Sequence, residues 1–203
     1  LNTILRLIEP KKGAKVVVKQ ASLDIIRNEV FLRKVIKRWF GAYFETPASL
    51  AVDQGRESFM VMEHVDGHGA WSGGDRLSIE QRAALALIVK TFGVGDVNGG
   101  NVLYGPGNRV WLIDFEQSLS RTTPVPYRIP DKGILMEMPW VGVEGPNSIE
   151  DYLPAIRSWR ALLSRTETRK ELADMLRQSG FSEAETPSIL KTFWANAADL
   201  PWS

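Results

Sequence analysis

The sequence predicts an α+β protein of two lobes, a small antiparallel sheet carrying one helix followed by a mostly helical remainder. Three observations predict this. β-rich apolar runs crowd the first third of the chain, and apolar residues at helical spacing dominate after residue 78. A polar, glycine-rich stretch from Asp66 to Gly74 separates the two and reads as a hinge. The lobes are therefore set at residues 1–65 and 66–203, with a cleft between them as the natural packing.

The elements follow in order. Thr3–Ile8 and Lys15–Lys19 are strands joined by the turn Pro10-Lys11-Lys12-Gly13. Ser22 is placed to cap a helix carrying Ile25, Ile26, Val30, Leu32, Val35, Ile36 and Trp39, which Gly41 stops. A second strand pair fits Ser49–Val52 and Phe59–Met62, joined by the polar turn Asp53–Arg56. Ser78-Ile79-Glu80-Gln81 is a capping box opening a helix that ends near Gly93. Val102–Tyr104 and Val110–Ile113 form a short hairpin around Gly105-Pro106-Gly107-Asn108. After the proline-rich stretch Pro124–Pro146, three helices close the chain, at Ser148 to about Ser164, at Thr166–Gln178 and from Thr186-Pro187 onward.

Composition narrows the functions open to such a chain. Its 203 residues are 44% hydrophobic and carry 25 Lys+Arg against 24 Asp+Glu, ordinary for a globular protein. There is no cysteine, so disulfide scaffolds, cysteine-ligated zinc and thiol catalysis are excluded. The longest apolar run, Ala83–Val89, falls far short of the ~18 residues that span a bilayer, and no secretory leader is visible. The expectation is a cytoplasmic protein. No aromatic–basic interleaving or reader motif points to nucleic acid. The net charge of +1 hides an asymmetry: residues 1–40 hold ten basic and three acidic residues, +7, and the rest sums to −6. Four of the basic residues, Arg33, Lys34, Lys37 and Arg38, share one helix. They read as a solvated face, with a membrane or partner contact through residues 33–38 as the alternative.

Four features then fall in a suggestive order. A strand ends in Lys19, a helix carries Glu29, a glycine-rich loop runs Gly95-Asp96-Val97-Asn98-Gly99-Gly100-Asn101, and Leu112-Ile113-Asp114-Phe115-Glu116 brings an acid to a strand end. Phosphoryl transfer explains why these types recur together. An ammonium neutralises phosphate charge and a helix carboxylate fixes that long side chain. One aspartate receives or orients a hydroxyl proton, while an asparagine and a second aspartate offer oxygen ligands to magnesium.

On these residues the chain resembles the protein-kinase-like superfamily over roughly residues 1–120. The loop Phe92–Leu103 is similar to that of phosphatidylinositol kinases, and the Leu-Ile-Asp-Phe-Glu ending to that of aminoglycoside and choline kinases. The resemblance implies a two-lobed kinase-like fold that uses ATP and Mg. It assigns phosphate binding to Lys19, with Glu29 as its partner, and makes Asp96 catalytic. Asn101 and Asp114 become the metal ligands, and Met62, Glu63, His64 and Val65 the interlobe segment that meets adenine through backbone groups. The implied reaction moves the terminal phosphoryl group of ATP to a hydroxyl on a protein or lipid. A small-molecule kinase of aminoglycoside or choline type, a catalytically dead binding module and a two-lobed domain without nucleotide are the alternatives.

The sequence also departs from the conventional pattern. Val94-Gly95-Asp96 stands for His-Arg-Asp, Asp114-Phe115-Glu116 for Asp-Phe-Gly, and Val97-Asn98 follows the catalytic aspartate where phosphatidylinositol kinases have Arg-His. No Ala-Pro-Glu element follows, and no glycine-rich loop precedes Lys19, so the first lobe is read as truncated or as lacking that loop. A calcium loop starting at Asp96 is ruled out, because its sixth position is Asn101 and its twelfth Gly107. Glu63, His64, Asp66 and His68 are read as polar hinge residues in preference to a metal cluster. Trp140, Trp159 and Trp194 are read as helix packing, and Ser118, Ser120, Thr122 and Thr123 are not counted as regulatory sites.

Overall fold

In the computed structural model the described residues are 4–11, 13–53, 55, 57–69, 77–94, 100–105, 107, 109–116, 118–119, 149–198 and 200. Alternating apolar residues build the first sheet. Strand β1 (Ile4–Lys11) pairs antiparallel with β2 (Ala14–Ala21), which in turn pairs with β4 (Ser58–Glu63), and β3 (Ser49–Asp53) closes the far edge. The register sets Lys19, Met60 and Ala51 in one row across the sheet, with Leu7, Val17, Met62 and Ser49 in a second row on the same face. Successive side chains alternate faces, so the lysine shares its face with the sheet's most buried apolar residue, Met60.

Helix α1 (Leu23–Val35) covers that face. Ser22 caps it by accepting the Ile25 N–H, and Asp24 in the first turn and Arg33 and Lys34 in the last suit the helix dipole. The expected helix continues to Phe40, but its last five residues, Ile36–Phe40, wind as a π-helical turn. The exit is tight, since a Cβ on Gly41 would sit 2.9 Å from the Lys37 carbonyl oxygen, and only glycine fits without a shift.

The remainder is helical around a second sheet. Helix α2 (Ile79–Phe92) opens on the capping box of Ser78 and Gln81 and ends at Gly93, whose φ of 60° is left-handed. Strands β6 (Val102–Gly105) and β7 (Arg109–Leu112) form the expected hairpin. The hinge reading of Asp66–Gly74 is corrected in part: β5 (His68–Gly69) pairs with β6 and makes this sheet three-stranded. Glycine and histidine carry no strand signal, and the partner strand lies far along the sequence, so local pattern could not show the pairing. Helices α3 (Ile149–Leu163), α4 (Thr166–Gln178) and α5 (Thr186–Ala198) follow close to the expected bounds. The stretch Pro124–Pro146, with Trp140, and Ser120, Thr122 and Thr123 lie outside the described residues.

One large core runs through both parts. Phe31, Leu32, Val35, Ile36 and Phe40 of α1 and its π turn are buried with Leu85, Ile88 and Phe92 of α2, Trp159 of α3, Leu172 and Leu176 of α4, and Phe193 of α5. Aromatic contacts knit it: Phe31 and Phe92 at 5.9 Å, Phe92 and Phe193 at 4.9 Å, and Phe40 and Trp159 at 4.9 Å between ring centroids. Trp159, against Trp39, and Trp194, whose ring lies under Arg169 of α4, thus pack helices, as expected. Under the first sheet the apolar core among the described residues is small: Ala21, Ile26 and Met60 with neighbours. Helix α1 is therefore anchored more by the helical body than by the sheet it covers. No helix among the described residues is long and apolar enough to cross a membrane.

Both ends of α2 are testable. Ser78→Ala and Gly93→Ala are each expected to lower stability by about 1 kcal/mol, one through the lost cap and the other through left-handed strain. At opposite ends of a helix of 14 residues the two should add, and urea denaturation of the double variant checks this.

Candidate functional site

Lys19 is held by its strand at the buried face of the sheet, and its side chain is only 2% exposed. An isolated ammonium there is costly, so its neighbours decide whether it is tolerated. Glu29, fully buried on α1, forms an ion pair with it. One helical turn further along, Arg33 donates to the other carboxylate oxygen of Glu29 at 2.9 Å, an i,i+4 pair. Arg33 is fixed in turn by the Pro47 carbonyl at 3.3 Å and by the Met62 sulfur at 3.0 Å, and its guanidinium lies 5.7 Å from the Phe115 ring centroid.

This corrects the reading of residues 33–38 as one solvated face. Arg33 is 5% exposed and turned inward. Lys34 reaches Gln178 and Arg38 pairs with Glu171, both on α4, so the face is partly used in packing helix on helix. A run of basic residues reads as solvated because charge is normally left in water, and Arg33 escapes that rule through its buried acidic partner.

Two more carboxylates complete the surroundings of Lys19. Asp114 Oδ1 lies at 2.9 Å and Glu116 Oε1 at 2.7 Å from its Nζ. Burial acts to depress the lysine pKa, but the charges of Glu29 and Asp114 and the bonds to Glu116 and Glu29 outweigh it and raise the value above that of an ordinary lysine. The group therefore stays cationic. Asp114 follows directly on Ile113 beyond the end of β7, with a left-handed φ of 61° that an aspartate accepts more readily than a branched residue. Its side chain is 35% exposed, so the acid that the apolar strand delivers is half-buried at a cavity wall and not enclosed.

A cavity of about 300 Å³ opens on this cluster. Of the nine site residues named from the sequence, eight line it: Lys19, Glu29, Met62, Glu63, His64, Val65, Asn101 and Asp114. The ninth, Asp96, lies outside the described residues, as do the neighbouring loop positions 95–99. Val17, Pro47, Leu103 and Ile113 supply the apolar wall, which suits a flat, largely apolar ring. Asn101 is tied to the Asp114 strand end by its carbonyl, which accepts the Ile113 N–H at 2.9 Å. Its amide and the Asp114 carboxylate are hard oxygen donors on one cavity and fit a magnesium ion, and no thiolate in the chain competes for a softer metal.

The segment Met62–Val65 is partly committed already. The Glu63 N–H donates to the Ala48 carbonyl and the His64 N–H to that of Lys15, while the Val65 N–H has no partner among the described residues. His64 lies 3.3 Å from Asp66, and His68 stacks on Tyr104, so the two histidines belong to different neighbourhoods. The acids that do converge among the described residues are Glu29, Asp114 and Glu116. Ser118 is fully buried, its hydroxyl donating to Phe115 and its carbonyl accepting from Asn28.

Sequence reasoning placed neither Arg33 nor Glu116 in the site. The signal for Arg33 was available in its i+4 spacing from Glu29. For Glu116 it was the acid standing two residues past Asp114, although its reach to Lys19 depends on a backbone turn that the sequence does not display.

No family model matches the chain, and no curated protein matches its sequence. Among solved structures, the Rio2 kinase-ADP/Mg2+-phosphoaspartate complex from Chaetomium thermophilum aligns with 96% of this chain and 67% of its own, at 15% identity and a TM-score of 0.46. The N-terminal 618-residue fragment of LepB from Legionella pneumophila aligns with 94% of this chain at 13% identity and a TM-score of 0.45. This chain spans 36% of that fragment's length. The MAP kinase LmaMPK10 from Leishmania major aligns with 98% of this chain and 80% of its own, at 12% identity and a TM-score of 0.33.

The buried charge cluster makes a direct prediction. Glu29→Met keeps the volume but leaves Arg33 and Lys19 without their shared acid, and should cost about 3 kcal/mol of stability. Urea unfolding measures it, and a loss below about 1 kcal/mol would contradict the pairing.

Proposed function

We propose that the protein is an ATP- and magnesium-dependent phosphotransferase that moves the terminal phosphoryl group of ATP to a hydroxyl on a protein or lipid acceptor. The observation that carries the reading is the convergence of Lys19, Glu29, Asn101, Asp114 and the Met62–Val65 segment on one cavity. These residues come from three separate parts of the sequence and meet on one cavity, with the ammonium, the amide and the carboxylate that a phosphorylated ligand and its metal would engage.

In this reading the adenine ring lies against Val17, Leu103 and Ile113, with its edge toward the Val65 N–H. Lys19 faces the phosphates, its position fixed by Glu29, whose own carboxylate is held by Arg33. Asn101 and Asp114 hold magnesium. The chemistry magnesium supplies when bound is charge neutralisation on the phosphoryl oxygens. Asp96, five residues before Asn101, is the residue assigned to take up the acceptor's hydroxyl proton. The protein's part is then mainly positioning and charge stabilisation, as phosphoryl transfer requires.

Transfer of label from ATP to protein, inositol-lipid and aminoglycoside acceptors tests the reading. Magnesium-dependent transfer is expected, falling roughly a hundredfold or more in Asp114→Ala and lost on chelation of the metal. Turnover that Asp114→Ala leaves unchanged would contradict the assignment. Nucleotide binding without transfer to any acceptor or to the protein itself would identify a binding module instead.

A further inference from the structure

An ammonium has three N–H donors. Those of Lys19 face three carboxylates, on Glu29, Asp114 and Glu116. In this state the lysine has no donor left for a phosphate oxygen, so a ligand that engages it must displace one of the three. Glu29 is wholly buried and tied to Arg33, which makes it the anchor. Asp114 sits directly beyond the β7 strand end, and its carboxylate also accepts a long bond from the Glu116 N–H at 3.4 Å. The Glu116 carboxylate is 28% exposed, on the turn beyond Asp114, and Lys19 is its one side-chain partner among the described residues. It is the acid with least to lose by leaving.

Charge gives its departure a direction. Lys19 and Arg33 contribute +2 and Glu29, Asp114 and Glu116 contribute −3, so the five groups sum to −1. A bare polyphosphate approaching Lys19 meets a capped cation in a net negative surrounding. A polyphosphate carrying a divalent cation brings a counter-charge for the released acid. We infer that Glu116 is a specificity-determining residue that caps Lys19 and makes the site select metal-complexed nucleotide over free nucleotide. The inference rests on the phosphotransferase reading and adds a role that Gly, the residue conventional at this position, could not perform.

Calorimetric titration of ATP into the wild-type protein and the variants Glu116→Gln and Glu116→Ala, in excess magnesium and in chelator, tests it. The wild type is expected to bind the magnesium complex and to bind free ATP at least tenfold more weakly. Both variants should bind free ATP roughly tenfold or more tighter than the wild type does, the scale of one charge-assisted hydrogen bond, and so lose most of the preference. A residue that merely braces the fold would not change that ratio, and thermal melts of both variants confirm that they are folded. If the wild type binds the magnesium complex but neither variant gains affinity in chelator, the inference is overturned and the phosphotransferase reading stands. If no nucleotide binds to any of the three under either condition, both are overturned.

Discussion

The ion pair between Lys19 and Glu29 is the constraint on which the rest of this structure turns. Two charges taken out of water are expensive, and a pair of this kind persists only where further hydrogen bonds satisfy the remaining donors and acceptors. Here Arg33 supplies that support on the helix side, while Pro47 and Met62 hold Arg33 itself. The pair couples β2 to α1, and α1 is rooted through Phe31, Leu32 and Val35 in the core of the helical body. The position of the lysine is thus set by helices far along the chain as much as by its own strand.

The same coupling explains how a cavity forms on a sheet with little core of its own. Among the described residues the apolar core between the first sheet and its helix is Ala21, Ile26 and Met60, yet the sheet is also tied to the second one. Glu45 exchanges backbone bonds with Val110 and Leu112, which docks the segment between α1 and β3 alongside β7. That docking carries Pro47 to the apolar wall of the cavity, which Leu103 and Ile113 also line. The apolar wall and the charged wall of the cavity are therefore products of one arrangement, with the acid of Asp114 delivered by the strand that Glu45 clasps.

Much of this was legible in the sequence wherever local chemistry governs. Ser22, Ser78 and Gly93 mark helix ends through cap geometry that needs no tertiary information, and all three do so in the structure. Lys19 and Asp114 were legible because apolar strands run directly into them. What the sequence hid depends on partners distant along the chain. The pairing of β5 with β6 has no local pattern behind it. The inward turn of Arg33 was masked by three basic neighbours, and the capping of Lys19 by Glu116 follows from the left-handed backbone at Asp114. The likeness to kinases drawn from motif order gathers eight residues around one cavity, while Asp96, on which the chemical step of the proposal leans, lies outside the described residues.

The central claim is that one cavity, bounded by the sheet, α1 and the β6–β7 hairpin, receives a magnesium-bound nucleotide. Methyl NMR during titration with magnesium and a non-hydrolysable ATP analogue tests it most directly. The account predicts saturable shifts at Val17, Met62, Val65, Leu103 and Ile113, which line the cavity, and none at Leu87 and Leu162, which line a separate apolar groove beside Trp159. Shifts centred on Leu87 and Leu162, or no shifts at any concentration reached, would contradict it.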